Sequence, residues 1–159
     1  MAADKLFKQL FDAMDKACGG VASVKAPGYS FGLNGEAGGG FNNVGGARAA
    51  VLGAYTNGVG FAVIHQKVLR SEVLTHFFPM DEIVGVEEGE GARAMTRIEE
   101  RNSQVLGGIL RPRDLSIQAV RLMTTQGDID MEFGKSQLAA RRPLTLAIIR
   151  LIESFEQQP

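Results

Sequence analysis

The sequence predicts an α+β fold: seven short antiparallel strands forming a partly open barrel, capped by a C-terminal helix and preceded by an amphipathic helix and a glycine-rich segment. Three observations carry this reading. From Val51 to Gly134 short apolar or alternating runs are separated by turn residues. Pro143 opens a stripe of Leu144, Ala147, Ile148, Leu151, Ile152 and Phe155 at helical spacing. A second stripe, Leu6, Phe7, Leu10, Phe11 and Met14, lies near the start of the chain.

The first helix is expected over Asp4 to Cys18 and ends at Gly19-Gly20. Its polar face mixes acids with lysines, which favours packing on the protein's own core or a second subunit over an interfacial membrane helix. From Gly19 to Gly46 ten of 28 residues are glycine. That composition suits a functional loop, a mobile linker or a pair of poorly patterned strands. Tyr29, Phe31 and Leu33 alternate inside it, as in a strand or arm that lies on something, and Phe41 follows. Residues 1–46 are therefore set apart as a helix and glycine-rich arm, and 47–159 as the barrel domain with its helix at 143–157.

Within the barrel, Val51 to Thr56 and Phe61 to His65 flank Asn57-Gly58, a pair suited to a tight hairpin turn. Ser71 to Phe78 alternates and is stopped by Pro79. Glu82 to Glu88 supplies the next strand, and Ala92 to Glu99 fits either a strand or one turn of helix. An excursion over Asn102 to Pro112 leads to Leu115–Thr125, where a change of phase suggests a bulge. After a turn at Gln126-Gly127, Ile129, Met131 and Phe133 alternate with Asp128, Asp130 and Glu132.

Strands followed by one closing helix, over residues of about 48 to 157, resemble the pleckstrin-homology (PH) superfold, including its bacterial PH-like families. The local carriers are Ala54-Tyr55-Thr56-Asn57 with Gly60-Phe61-Ala62-Val63, the run Phe78-Pro79-Met80-Asp81-Glu82-Ile83-Val84-Gly85-Val86-Glu87, and Thr124-Thr125-Gln126-Gly127-Asp128-Ile129. The resemblance implies a scaffold that binds proteins or lipids. The loop Asn57-Gly58 has no cation where phosphoinositide-binding members carry several basic residues, so the resemblance implies no inositol-phosphate site there.

The chemistry-bearing residues form no recognised catalytic set. His65 and His76 fall on neighbouring expected strands, with Glu72 or Cys18 as a conceivable third metal ligand, but their spacing is not that of a zinc site and a structural role is favoured. The glycines form no phosphate-binding fingerprint, and no serine lies in a nucleophile elbow. The expectation is no catalytic residue, no cofactor and no metal. Arg93, Arg97, Arg101, Arg111 and Arg113 are interrupted by acids and read as a solvated or subunit-contacting face. Arg141-Arg142 is unexpected at a helix start, where the dipole prefers acids, and calls for a partner carboxylate or phosphate.

The formal net charge of −1 gives no field for nucleic acid, and none is expected as a partner. A single cysteine, Cys18, and a start without a secretory pattern point to the cytoplasm. The function expected is a non-catalytic module that binds protein partners or its own copies through Phe7, Phe11, Tyr29, Phe31, Phe41, Arg141 and Arg142. Two further readings stand beside it: a peripheral membrane or lipid binder, and a small-molecule sensor or enzyme with the glycine segment as its lid.

Overall fold

Helix α1 (Ala2–Cys18) ends where Gly19 takes a positive φ of 72° and the Gly20 amide donates to the Asp15 carbonyl. Left-handed backbone of this kind is nearly free of cost only for glycine. The structure is a computed structural model and describes residues 2–33, 48–66, 70–89, 93–94 and 119–157. The strands are β1 (Val24–Ser30), β2 (Arg48–Tyr55), β3 (Gly58–Gln66), β4 (Ser71–Pro79), β5 (Ile83–Glu88), β6 (Arg93–Ala94), β7 (Ala119–Thr124) and β8 (Gly127–Glu132). A 3-10 turn at Leu138–Ala140 leads into helix α2 (Arg141–Glu156).

All pairings are antiparallel, in the order β4-β3-β2-β1-β8-β7-β5-β6. Seven strands have six or more residues, the number expected, but the set differs. Of the Ala92–Glu99 segment, Arg93 and Ala94 form β6, and the other six residues lie outside the described ones. An additional strand, β1, comes from the glycine-rich segment and sits between β2 and β8. The expected barrel is not formed: β4 and β6 are the two edges, and no ladder joins them among the described residues. The architecture is an open antiparallel sheet with one helix on each face.

Strand β1 pairs with β2 along its whole length but with β8 only at Tyr29 and Ser30. Pro27, which has no N–H to give, therefore sits where only one ladder runs. The β2–β3 turn is Thr56-Asn57, one residue earlier than expected, because Gly58 already pairs with Tyr55. A Cβ at Gly58 would run into the Phe78 carbonyl and the Phe77 ring, so that position is needed bare inside the strand. The turn before β8 shifts likewise to Thr125-Gln126, with Gly127 at a φ of 134° paired to Thr124. The register irregularity lies in β5, between Ile83 and Gly85; the expected phase change near Leu115 lies outside the described residues, as does the Asn102–Pro112 excursion.

Residues two apart on a strand share a face. On the inner face Leu52, Phe61, Val86, Leu122, Ile129 and Met131 pack with Leu144, Ile148 and Ile152 of α2, all essentially buried. On the outer face Val51, Tyr55 and Ala62 pack with Phe7, Leu10 and Met14 of α1. The α1 stripe thus rests on the protein's own sheet. Its seat is the cross-strand pair Gly53 and Gly60: a Cβ at Gly53 would lie 2.7 Å from Met14 Cε, and one at Gly60 would lie 2.6 Å from Cys18 Sγ. Two bare positions side by side let the helix approach the sheet closely.

Candidate functional site

One end of the inner face is polar. Ser30 on β1 lies opposite Arg48 on β2, and His65 on β3 lies opposite Glu72 on β4. The β2–β3 ladder ends at Ala50 opposite Val63, two residues short of Arg48 and His65. Ser30 and Arg48 are thus cross-strand neighbours on β1 and β2, and His65 and Glu72 on β3 and β4. Their phase is that of Ala50, Leu52, Val63 and Phe61, which face the core. Beyond β1, Met131 of β8 pairs with Ser30, Val120 of β7 with Met131, and Glu88 of β5 with Val120.

The polar atoms at this end are unevenly satisfied. Ser30 is buried, and its Oγ accepts the Gly32 amide at 3.0 Å, leaving the hydroxyl proton to be given elsewhere. Arg48 Nε and His65 Nδ1 are buried atoms without a hydrogen-bond partner. Leaving a buried donor unpaired costs about 1–3 kcal/mol. Both Glu88 carboxylate oxygens are likewise buried without a hydrogen-bond partner.

On β5, the Glu88 side chain has no exposure, and Arg142 Nη2 lies 3.0 Å from its Oε1, with Arg141 Nε at 3.9 Å. The first turn of α2 contains no acidic residue of its own. The carboxylate that the Arg141-Arg142 pair called for thus comes from the last residue of β5. Inside the helix, the buried Thr145 hydroxyl is satisfied by donating to the Arg141 carbonyl at 3.0 Å.

On the outer face, Asp15 ties α1 to the sheet: it accepts the Tyr55 hydroxyl at 2.6 Å and the Ala22 amide at 3.2 Å, and Lys25 Nζ lies 3.8 Å away. Burial, and then the bond to Asp15, raise the Tyr55 hydroxyl well above its ordinary value. Burial likewise raises the Cys18 thiol, with the Tyr55 hydrogen bond opposing. Such a thiol is a poor nucleophile at neutral pH. Across β7 and β8, Arg121 makes a two-pronged contact with Asp130, at 2.7 and 3.0 Å, with Glu87 opposite it on β5.

The residues expected to contact a partner fall in two places: Phe7, Phe11 and Tyr29 lie together by α1, and Arg141 and Arg142 both face Glu88. Phe7 is 8% exposed and packs edge-on against Tyr29, with ring centres 6.0 Å apart. Phe11 lies under Lys25 Nζ, 4.9 Å from the ring centre. Tyr29 is 38% exposed and Phe31 is half-buried. Phe41 lies outside the described residues, and Arg141 and Arg142 are engaged with Glu88. A shallow open cleft of about 380 Å³ runs beside Phe7, Phe11, Lys25 and Pro27, walled by Asp4, Lys8 and Asp12 of α1.

The two histidines do not meet. His65 pairs with Glu72, whereas His76 pairs with Phe61 and is stacked between Phe61 and Phe78. Cys18 belongs to the opposite face. Among the described residues no group of three or more potential ligands is placed to hold a metal ion, and no helix is long and apolar enough to cross a membrane.

Sequence reasoning passes over Arg48 and Glu88. The signal for both is phase: each ends a strand in register with core residues, where a charged side chain has no ordinary reason to stand. Comparison with known proteins brings no match: no family profile, no curated protein and no solved structure matches this chain.

Proposed function

We propose that this chain is a non-catalytic interaction module of PH-like type that self-associates by pairing β4 with β4 of a second copy. The observation that carries the reading is the edge position of β4: among the described residues no strand pairs with its outer side. β4 is nine residues long, ends the sheet, and has Ser71 and Thr75 exposed. An edge of this length, rich in β-branched and aromatic residues and carrying few charges, is a template for another strand.

Symmetry supports the choice of partner. An antiparallel β4 pair centred on Thr75 sets Thr75 opposite Thr75, Val73 opposite Phe77, Leu74 opposite His76 and Glu72 opposite Phe78. Hydroxyl pairs and aromatic-to-branched pairs of this kind are favourable across antiparallel strands. The two Glu72 carboxylates fall at opposite ends of the ladder, and a net charge of −1 sets up no repulsion between copies. A twofold contact of this sort is self-complementary.

The PH-like reading rests on the order of elements, strands followed by one helix packed on a single face. The lipid-surface reading needs aromatic anchors free to insert, and the burial of Phe7 removes one of them. The self-association reading is tested by amide hydrogen exchange at two protein concentrations. Slower exchange at β4 in the concentrated sample supports it. Unchanged exchange along Ser71–Phe78, in a sample whose β2 and β3 amides are well protected, counts against it.

A further inference from the structure

The outer face of β4 is only half covered by its own helix. Val73 and Phe77 pack against α1 yet stay half-buried, and Thr75 between them is exposed. One flank of α1, carrying Asp4, Lys8 and Phe11, overlooks Lys25 and Pro27 of β1. At about 100° of turn per residue, the opposite flank carries Leu6, Ala13 and Ala17. β1 and β4 lie on opposite sides of the β2–β3 seat, so this second flank faces the β4 edge, where Leu6 joins Ile64, Val73 and Phe77 in one cluster. Leu6 and Ala13 are half-buried there.

The strand edge alone is small for a stable contact. Nine residues span about 30 Å, and with a depth of about 10 Å the edge offers roughly 300 Å² per copy, against about 800 Å² per partner in a stable pair. The remaining area has to come from groups beside the edge. We propose that the β4-side flank of α1, through Leu6 and Ala13, docks together with Val73 and Phe77 against the same surface of a second copy. This rests on the β4 pairing proposed above and names its second layer. Because α1 packs on β2, β3 and β4, its axis runs over β3, which at a strand spacing of about 4.8 Å lies about 7 Å from the twofold axis. The two helices therefore run antiparallel about 14 Å apart, and helices of about 10–12 Å diameter leave a furrow one side chain wide between them. Val73 of each copy opposite Phe77 of the other floors the furrow, and Leu6 and Ala13 wall it. The twofold operation makes this surface its own complement.

The test is sedimentation equilibrium of the full chain, unaltered, as Ala13→Arg, and as Ala139→Arg, the same change at an exposed alanine of the 3-10 turn before α2. Ala13→Arg is expected to raise the dimer dissociation constant by about tenfold or more, and Ala139→Arg to leave it within about twofold. An Ala13→Arg chain that pairs as tightly as the unaltered one, or no more weakly than Ala139→Arg, overturns the proposal and leaves the β4 pairing standing. An unaltered chain that never pairs overturns both. Should Ala13→Arg fail to fold, amine cross-linking of unaltered protein mixed from light and heavy isotope-labelled copies decides. Links from Lys16 of one copy to Lys5 of the other support the antiparallel helices, and a dimer without any link between α1 lysines of different copies refutes them.

Discussion

Glu88 and Arg142 form an ion pair, 3.0 Å from Oε1 to Nη2, in which the carboxylate is wholly buried and 57% of the arginine side chain faces solvent. The asymmetry sets the outcome of mutation. Arg142→Met alone costs little, because Arg141 remains near the carboxylate. Arg141→Met with Arg142→Met strands a buried charge and destabilises by about 3 kcal/mol or more. A double-mutant cycle with Glu88→Gln, read by urea unfolding, checks this: the arginine changes cost less once the carboxylate is gone.

The α1 seat yields a second prediction. Gly60→Ala places a methyl 2.6 Å from both Cys18 Sγ and the Tyr55 ring, so α1 must lift or the ring must turn. Overpacking of this kind costs about 1–3 kcal/mol. The loss appears in urea unfolding, and Gly20→Ala, at a position with open space around it, costs less.

Alkaline pH weakens the same contact. The Cys18 thiol and Tyr55 hydroxyl lie above their ordinary values of 9.0 and 10.0, burial being the first cause in each. The unfolded chain therefore releases these protons at a lower pH than the folded one. Stability from this source is complete below about pH 9 and declines as pH rises beyond it. Urea midpoints measured from neutral to alkaline pH show the decline, and Tyr55→Phe reduces its slope above the phenol value. At neutral pH the same variant loses the charge-assisted bond to Asp15, worth about 1.5–3 kcal/mol.

Arg121 and Asp130 give a fourth test. Arg121 is 3% exposed and its two-pronged contact fills the cross-strand position. Asp130→Ala leaves a buried guanidinium without its main acceptor, and a loss of about 3 kcal/mol is expected in urea unfolding. Asp128→Ala, beside it on an exposed position of the same strand, changes stability far less.

Much of the fold is legible in sequence, and its misses have physical causes. The two helices declare themselves because one face of each is continuously apolar, and both faces land on the sheet. Strand β1 does not, because Pro27 and Gly28 interrupt it. Both residues are tolerated by local geometry: Pro27 has one ladder only, and a Cβ at Gly28 would lie 2.5 Å from the Glu132 carbonyl. Openness of the sheet is likewise invisible, since closure depends on whether edges meet and not on any strand's pattern. Of the candidate site, the need for an anion beside Arg141-Arg142 could be read from helix electrostatics. The identity of Glu88 could not, because it is brought there by packing of β5 against α2.

Self-association through the edge strand β4 is tested most directly by the mass of the chain in solution. Sedimentation equilibrium from micromolar to millimolar protein, on the unaltered chain and on a Ser71→Lys, Thr75→Lys variant, separates the outcomes. The unaltered chain is expected to move from 17.1 kDa toward twice that mass, while the variant, with charge added at the two exposed edge positions, stays at the mass of one chain. An unaltered chain that keeps the mass of one chain throughout, or a variant that associates equally well, would contradict it.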